Sequence, residues 1–220
     1  MMKTTQFIST VAVWVVGLSW VASAAPTLTI QQGSYQYGQG GEFMAVVNTA
    51  GLPGHPAGSS FQTFCVEHNE YLSFGGTYYV VVNTGAVNGG VGGQLPDNPH
   101  FDPLDPRTAW LYDQFVKGTL PGYFDNPNGR QNSAGALQNA IWFIENEITE
   151  QPVGLAKTFY DMADTSGSKG IGHIRVLNMY NDAALTSNAQ DLLVAMPAPA
   201  GLLLAGIGTA LVGALRRRAL

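Results

Sequence analysis

Two apolar runs, one at each end, decide how much of this chain is left to build a folded body. Near the start, Lys3 precedes the apolar stretch Phe7 to Val21, and Ala22-Ser23-Ala24 follows it. That order of positive residue, short apolar core and small-x-small site predicts a secretory signal, 1–24, cleaved before Ala25; an uncleaved anchor is the alternative. At the other end, Met196-Pro197-Ala198-Pro199 interrupts a strand-like run, because proline fixes φ and removes a donor. Ala200 to Leu215 is then unbroken by any charge, and Arg216, Arg217 and Arg218 follow at once. Arginines placed there hold the C-terminus on the cytoplasmic side of an inserted helix, which predicts a C-terminal transmembrane segment within 197–220. Residues 25–196 remain, the length of one ordinary domain facing away from the cytoplasm.

Within 25–196 the hydrophobic period changes twice. Pro26–Gln32, Glu42–Ala50, Phe61–Glu67 and Thr77–Thr84 have the alternation or β-branched and aromatic content of strands. Tyr35–Gly41 reads as a turn, and Gly51–Ser60 and Gly85–Pro99 read as loops. Asp105 before Pro106 predicts a capped helix over Thr108–Lys117 that Gly118 closes. Ser133 is the expected cap of a second helix to about Thr149, with Leu137, Ile141, Ile144 and Ile148 on one stripe and Gln138 at its flank. Leu155–Ala163 predicts a third helix, and Ile174–Tyr180 and Gln190–Ala195 return to strand. Strands, then helices, then strands define an α+β fold.

Charge narrows the function classes. The segment 25–196 holds six of the ten basic residues and all 15 acidic ones, a net of −9. That balance argues against nucleic acid and anionic membrane surfaces as partners. Cys65 is the single cysteine, so no intramolecular disulfide is available. In an exported chain it is a reactive thiol, an intermolecular bridge, or an inert core residue.

The surroundings of Cys65 carry a resemblance. Phe64-Cys65-Val66-Glu67 and Leu137-Gln138-Asn139-Ala140-Ile141-Trp142, with Gln138 73 residues on from Cys65, resemble the two halves of a bacterial thioester domain, with Ala109-Trp110-Leu111-Tyr112 between them. The resemblance implies a β-sandwich or barrel with an inserted helical segment, and an internal thioester between the Cys65 sulfur and the Gln138 carbonyl. It also implies capture of a surface amine or hydroxyl on a protein, polyamine or polysaccharide. Glu67 and His68 are the expected assisting residues. The tail resembles a PEP-CTERM sorting signal, with Pro197, Pro199, Arg216, Arg217 and Arg218 at the expected places and Ala198 where the usual motif has glutamate. That implies an exosortase-type processing partner, transient inner-membrane anchoring, and delivery to the cell surface or matrix.

Other chemistry is poorly represented. Glu67-His68-x-Glu70 gathers ligand types without the helical spacing of a zinc protease, and reads as a solvated loop. Asp97, Asp102 and Asp105 lack EF-hand spacing, and Asp105 is accounted for as a cap. No nucleophile elbow, phosphate loop or dinucleotide fingerprint occurs, so neither an enzyme nor a cofactor or metal is expected. The competing expectation is a non-covalent matrix or envelope protein with a free, buried Cys65.

Overall fold

Leu28 and Ile30 alternate with polar neighbours in β1 (Thr27–Gln31), and both are fully buried. The same period-two logic builds the rest of the sheet from this computed structural model, which describes residues 25–126 and 128–197. The chain continues through a two-rung hairpin, β2 (Gln36–Tyr37) and β3 (Gly40–Gly41), into β4 (Phe43–Thr49) and β5 (Ser60–Thr63). Next come β6 (Thr77–Asn83), then β7 (Gly85–Val87) paired with β8 (Phe101–Pro103). Three helices follow, α1 (Pro106–Val116), α2 (Arg130–Ile144) and α3 (Gly154–Thr165), before β9 (Ile174–Tyr180) and β10 (Asn188–Ala195).

Six strands form one antiparallel sheet in the order β10-β9-β6-β1-β4-β5, with the helices inserted between β8 and β9. The α+β expectation therefore holds at the level of a large antiparallel sheet with three helices. The two edges of that sheet meet. Beyond β5 the chain runs on beside β10: Val66 N–H donates to Asp191 O (3.0 Å), Leu193 N–H donates to Phe64 O (3.1 Å), and Cys65 lies opposite Leu192. Cys65 thus occupies the seam where the first and last strands of the sheet join.

Alternation across this seam separates two apolar cores. Phe64 and Val66 face the helices, packing with Leu111, Leu137, Ile141 and Leu193. Cys65 faces the other way, among Leu28, Val80, Leu177 and Leu192, and Trp142 reaches this second core from α2.

Several sequence expectations need correction. The strand expected to carry Cys65 ends at Thr63, and Cys65 sits in an isolated bridge. Tyr35–Gly41 is a hairpin rather than a plain turn, and the supposed loop from Gly85 opens with β7. Asp105 does cap α1, accepting from Arg107 N–H at 2.8 Å. Ser133 is not a cap: α2 starts earlier, after Gly129 at φ 90°, and Ser133 is buried inside it, accepting from Asn126 Nδ2. The helix also stops sooner. Asn146 adopts φ 62° and Glu147 N–H returns to Trp142 O (2.8 Å), a left-handed C-terminal closure that leaves Ile148 outside the helix.

The expected signal peptide, Pro199, the apolar tail and Arg216, Arg217 and Arg218 lie outside the described residues. Pro197 is exposed just past β10. Among the described residues, no helix is long and apolar enough to cross a membrane.

Candidate functional site

Gln138 is brought to Cys65 by the third turn of α2. Its carboxamide spans the seam with three hydrogen bonds. Oε1 accepts from the backbone N–H of Cys65 (3.0 Å) and of Gly41 (3.2 Å), and Nε2 donates to the Cys65 carbonyl (2.9 Å). Both residues are almost completely buried, Cys65 at 2% exposure and Gln138 at 1%.

Two backbone N–H groups converging on one carbonyl oxygen form the donor pair that stabilises charge when such a carbonyl is attacked. One donor belongs to the residue that carries the thiol, so covalent geometry ties that donor to the nucleophile. The other comes from the β2–β3 hairpin, which lies over α2. Its fit depends on missing side chains. A Cβ on Gly40 would fall 2.4 Å from Gln138 Cγ and 2.7 Å from the Trp142 ring, and a Cβ on Gly135 would fall 2.5 Å from the Tyr37 ring.

Further bonds lock the chain after Cys65. Trp142 Nε1 and Gln190 Nε2 both donate to the Glu67 carbonyl, at 2.9 and 2.8 Å. The start of α2 is anchored by Arg130, which meets the buried Glu42 carboxylate through Nε (3.0 Å) and Nη2 (2.6 Å). Tyr123 donates to the same carboxylate at 2.7 Å. Glu42 immediately follows Gly41, so this ion pair holds the hairpin and α2 in register.

The Cys65 thiol has its pKa pushed up, first by burial and then by the nearby Glu67 charge. It is a protonated thiol rather than a standing thiolate. The site is not sealed. A cavity of about 200 Å³ reaches Cys65 and is lined by Gln39, Glu70, Tyr71, Phe74 and Gln190, with Tyr71 and Phe74 exposed at its rim. A larger cavity of about 460 Å³, between Tyr112, Phe61 and Arg130, does not reach Cys65.

The two residues expected to assist are placed differently. Glu67 is buried, not solvated, and its carboxylate turns away toward Glu70 and Asp191. His68 packs its ring edgewise on Trp142, 4.7 Å between centroids, and its backbone N–H donates to Glu147. Among the described residues, neither side chain hydrogen-bonds Cys65 or Gln138. Asp97 is exposed and Asp102 is buried in β8, so with Asp105 as a cap these three make no common site. Sequence reasoning missed Gly40, Gly41 and Gln190 as parts of the site. The run Gly38-Gln39-Gly40-Gly41 was the available signal, since a glycine cluster also marks close backbone approach.

No protein-family model matches this chain, and no curated protein matches it. Among solved structures it is similar to the N-terminal thioester domain of fibronectin-binding protein SfbI from Streptococcus pyogenes, with 13% identity and a TM-score of 0.47, covering 82% of this chain and 97% of that domain. A likeness at this level defines neither a site nor an activity for the chain.

Proposed function

We propose that this chain is an exported surface or matrix protein in which Cys65 and Gln138 condense to an internal thioester that later captures a nucleophile on a partner. The observation that carries the reading is the Gln138 carboxamide held on Cys65 with its oxygen between two backbone N–H donors.

In the condensation, Sγ attacks Cδ, the Sγ–Cδ bond forms, and the Cδ–Nε2 bond breaks. The thiol proton ends on the departing nitrogen, which leaves as ammonia. Charge developing on Oε1 is met by the Cys65 and Gly41 N–H groups. The thiol need not ionise beforehand if proton transfer accompanies attack, which suits a buried sulfur whose pKa is raised. The apolar surroundings, Leu192, Leu28 and Trp142, restrict the water that would hydrolyse the product. Capture reverses the geometry: a partner amine or hydroxyl entering by the Tyr71–Phe74 cavity attacks Cδ, forms an amide or ester, and releases the Cys65 thiol. On this reading the Pro197-x-Pro199 tail is handled by an exosortase-type enzyme, after transient anchoring in the inner membrane.

A second reading has support from the same bonds. The carboxamide satisfies its backbone partners without any covalent step, as a polar clamp across the seam of a non-covalent matrix protein.

Intact mass separates the two. Both cores lie within 25–196, so the Ala25–Met196 protein and its Cys65→Ala variant are compared. The thioester reading expects the wild type to be lighter than its sequence by one ammonia, and to gain one methylamine on exposure to that amine. A wild-type mass equal to the sequence, with Cys65 alkylated only after unfolding, refutes it and leaves the clamp.

A further inference from the structure

Beside the seam lies a group of carboxylates that the thioester chemistry does not use. Glu67 and Glu70 follow Cys65, and Asp191 faces them from β10. One oxygen from each lies within 4.8 Å of the others. Glu67 is only 1% exposed, yet its Oε1 has no hydrogen-bond partner, and neither does the buried Glu70 Oε2. Orphaned acceptors of this kind are rare in protein interiors and call for a compensating proton, water or cation. No Lys, Arg or His among the described residues forms an ion pair with any of the three.

The neighbouring backbone is shaped to this group. A Cβ on Gly89 would fall 2.3 Å from Glu70 Oε1 and 2.6 Å from Glu67 Oε1, so the glycine-rich loop after β7 lies directly on the two free carboxylates. Glu147 pins that loop, accepting from Val91 N–H (2.8 Å), Gly92 N–H (3.3 Å) and, across the gap, His68 N–H (2.9 Å). Asp191 is oriented by Val87 N–H, Asn178 Nδ2 and Met179 N–H. The first two reach Oδ2 and the third Oδ1, which leaves Oδ1 a further lone pair.

We propose that Glu67, Glu70 and Asp191 bind a hard divalent cation of the Ca²⁺ class, which ties the segment after Cys65 to β10 and to the Gly89–Gly93 loop. The donor set is oxygen only, with no imidazole or thiolate, which selects Ca²⁺, Mg²⁺ or Mn²⁺ over zinc or copper. The three oxygens lie within 4.8 Å of one another, close enough to share one ion. Glu70 is half-buried and gives the ion a route to solvent and to the waters that complete its shell. The proposal stands independently of the thioester reading, since none of its ligands takes part in that chemistry.

The test uses the purified full-length chain after EDTA treatment and dialysis, titrated calorimetrically with CaCl₂ at neutral pH, with chemical unfolding followed in parallel. The proposal expects one site with a dissociation constant of about 0.1–1 mM or tighter. It also expects a folding equilibrium constant raised about 10- to 100-fold at about 10 mM CaCl₂. Glu70→Gln, the mildest change at the least buried ligand, should weaken binding about tenfold or more while the calcium-free protein stays folded. Absence of both heat and stabilisation up to about 10 mM Ca²⁺, Mg²⁺ or Mn²⁺ overturns the site and leaves a shared proton as the compensation. Calcium stabilisation unchanged in Glu70→Gln and in Glu67→Gln also overturns it, as screening of surface charge only.

Discussion

Gly40→Ala tests the proposed geometry with the smallest possible change. Gly40 has an ordinary backbone conformation, so alanine meets no φ penalty there, and only space is at stake. The added Cβ would fall 2.4 Å from Gln138 Cγ, 2.9 Å from Gln138 Cδ and 2.7 Å from the Trp142 ring. Carbon atoms rest at about 3.5–4.0 Å, so the Gln138 side chain and the hairpin must separate by about 1 Å. The Oε1 bonds begin at 3.0 and 3.2 Å, and such a shift takes the Gly41 bond beyond hydrogen-bond range. Overpacking alone costs about 1–3 kcal/mol of stability. Loss of one charge-stabilising donor slows the attacked carbonyl about 10²–10³-fold. The assay is the rate of ammonia loss after refolding, read by intact mass, beside the urea midpoint. Gly38→Ala is the matched control on the same hairpin. Gly38 sits at φ 59° with nothing within 4 Å of a Cβ, so it should lose about 1 kcal/mol of stability and keep the rate. Ammonia loss in Gly40→Ala at the wild-type rate would refute the claim that the hairpin positions Gln138, as would equal slowing by both variants.

Two other perturbations probe the surrounding frame. Arg130→Ala removes both bonds from the guanidinium to the buried Glu42 carboxylate and should cost about 3 kcal/mol, at the low end for buried pairs because Arg130 is a quarter exposed. Arg130→Lys should recover only part of that, lacking the two-pronged fit, and a urea midpoint equal to wild type in Arg130→Ala would show the pair to be idle. Burial pushes Glu145 from 4.5 up to about 8, and Asp102 from 3.8 up to about 7 with help from the Glu147 and Asp105 charges. Acids whose folded pKa is raised favour the folded state while protonated, so their contribution is complete below the ordinary carboxylate range and is lost as pH rises through about 7 to 8. The thermal midpoint in chelator should therefore fall across that window, and Glu145→Gln should flatten the fall; a midpoint that rises instead would contradict the burial argument.

How much of the site was legible beforehand depended on what each residue does locally. Cys65 and Gln138 stood out because a lone cysteine and a helix-borne Leu-Gln-x-Ala-Ile-Trp are rare enough to notice in one dimension. Glu67 and His68 make no hydrogen bond to Cys65 or Gln138 among the described residues; their neighbourhood in sequence says nothing about where a carboxylate points once the seam closes. Gly40 and Gly41 passed as turn residues, since a glycine kept for clearance looks the same in sequence as one kept for a turn. Ser133 reads as a helix cap on composition, yet Gly129 with its positive φ, four residues before it, sets the boundary.

By itself the sequence determined the strand–helix–strand order, the apolar faces of β1, β4 and α2, the capping of α1 by Asp105, and a cysteine with no disulfide partner. These follow from side-chain period and local backbone preference, which act over a few residues. Only the tertiary structure decided that β5 runs on to meet β10, that Cys65 lies at that junction, and that Gln138 lays its amide between Cys65 and Gly41. It alone gathered Glu67, Glu70 and Asp191 under the Gly89–Gly93 loop. Those contacts join residues tens of positions apart, and their geometry is set by how two cores pack on opposite sides of one strand, which no local pattern encodes.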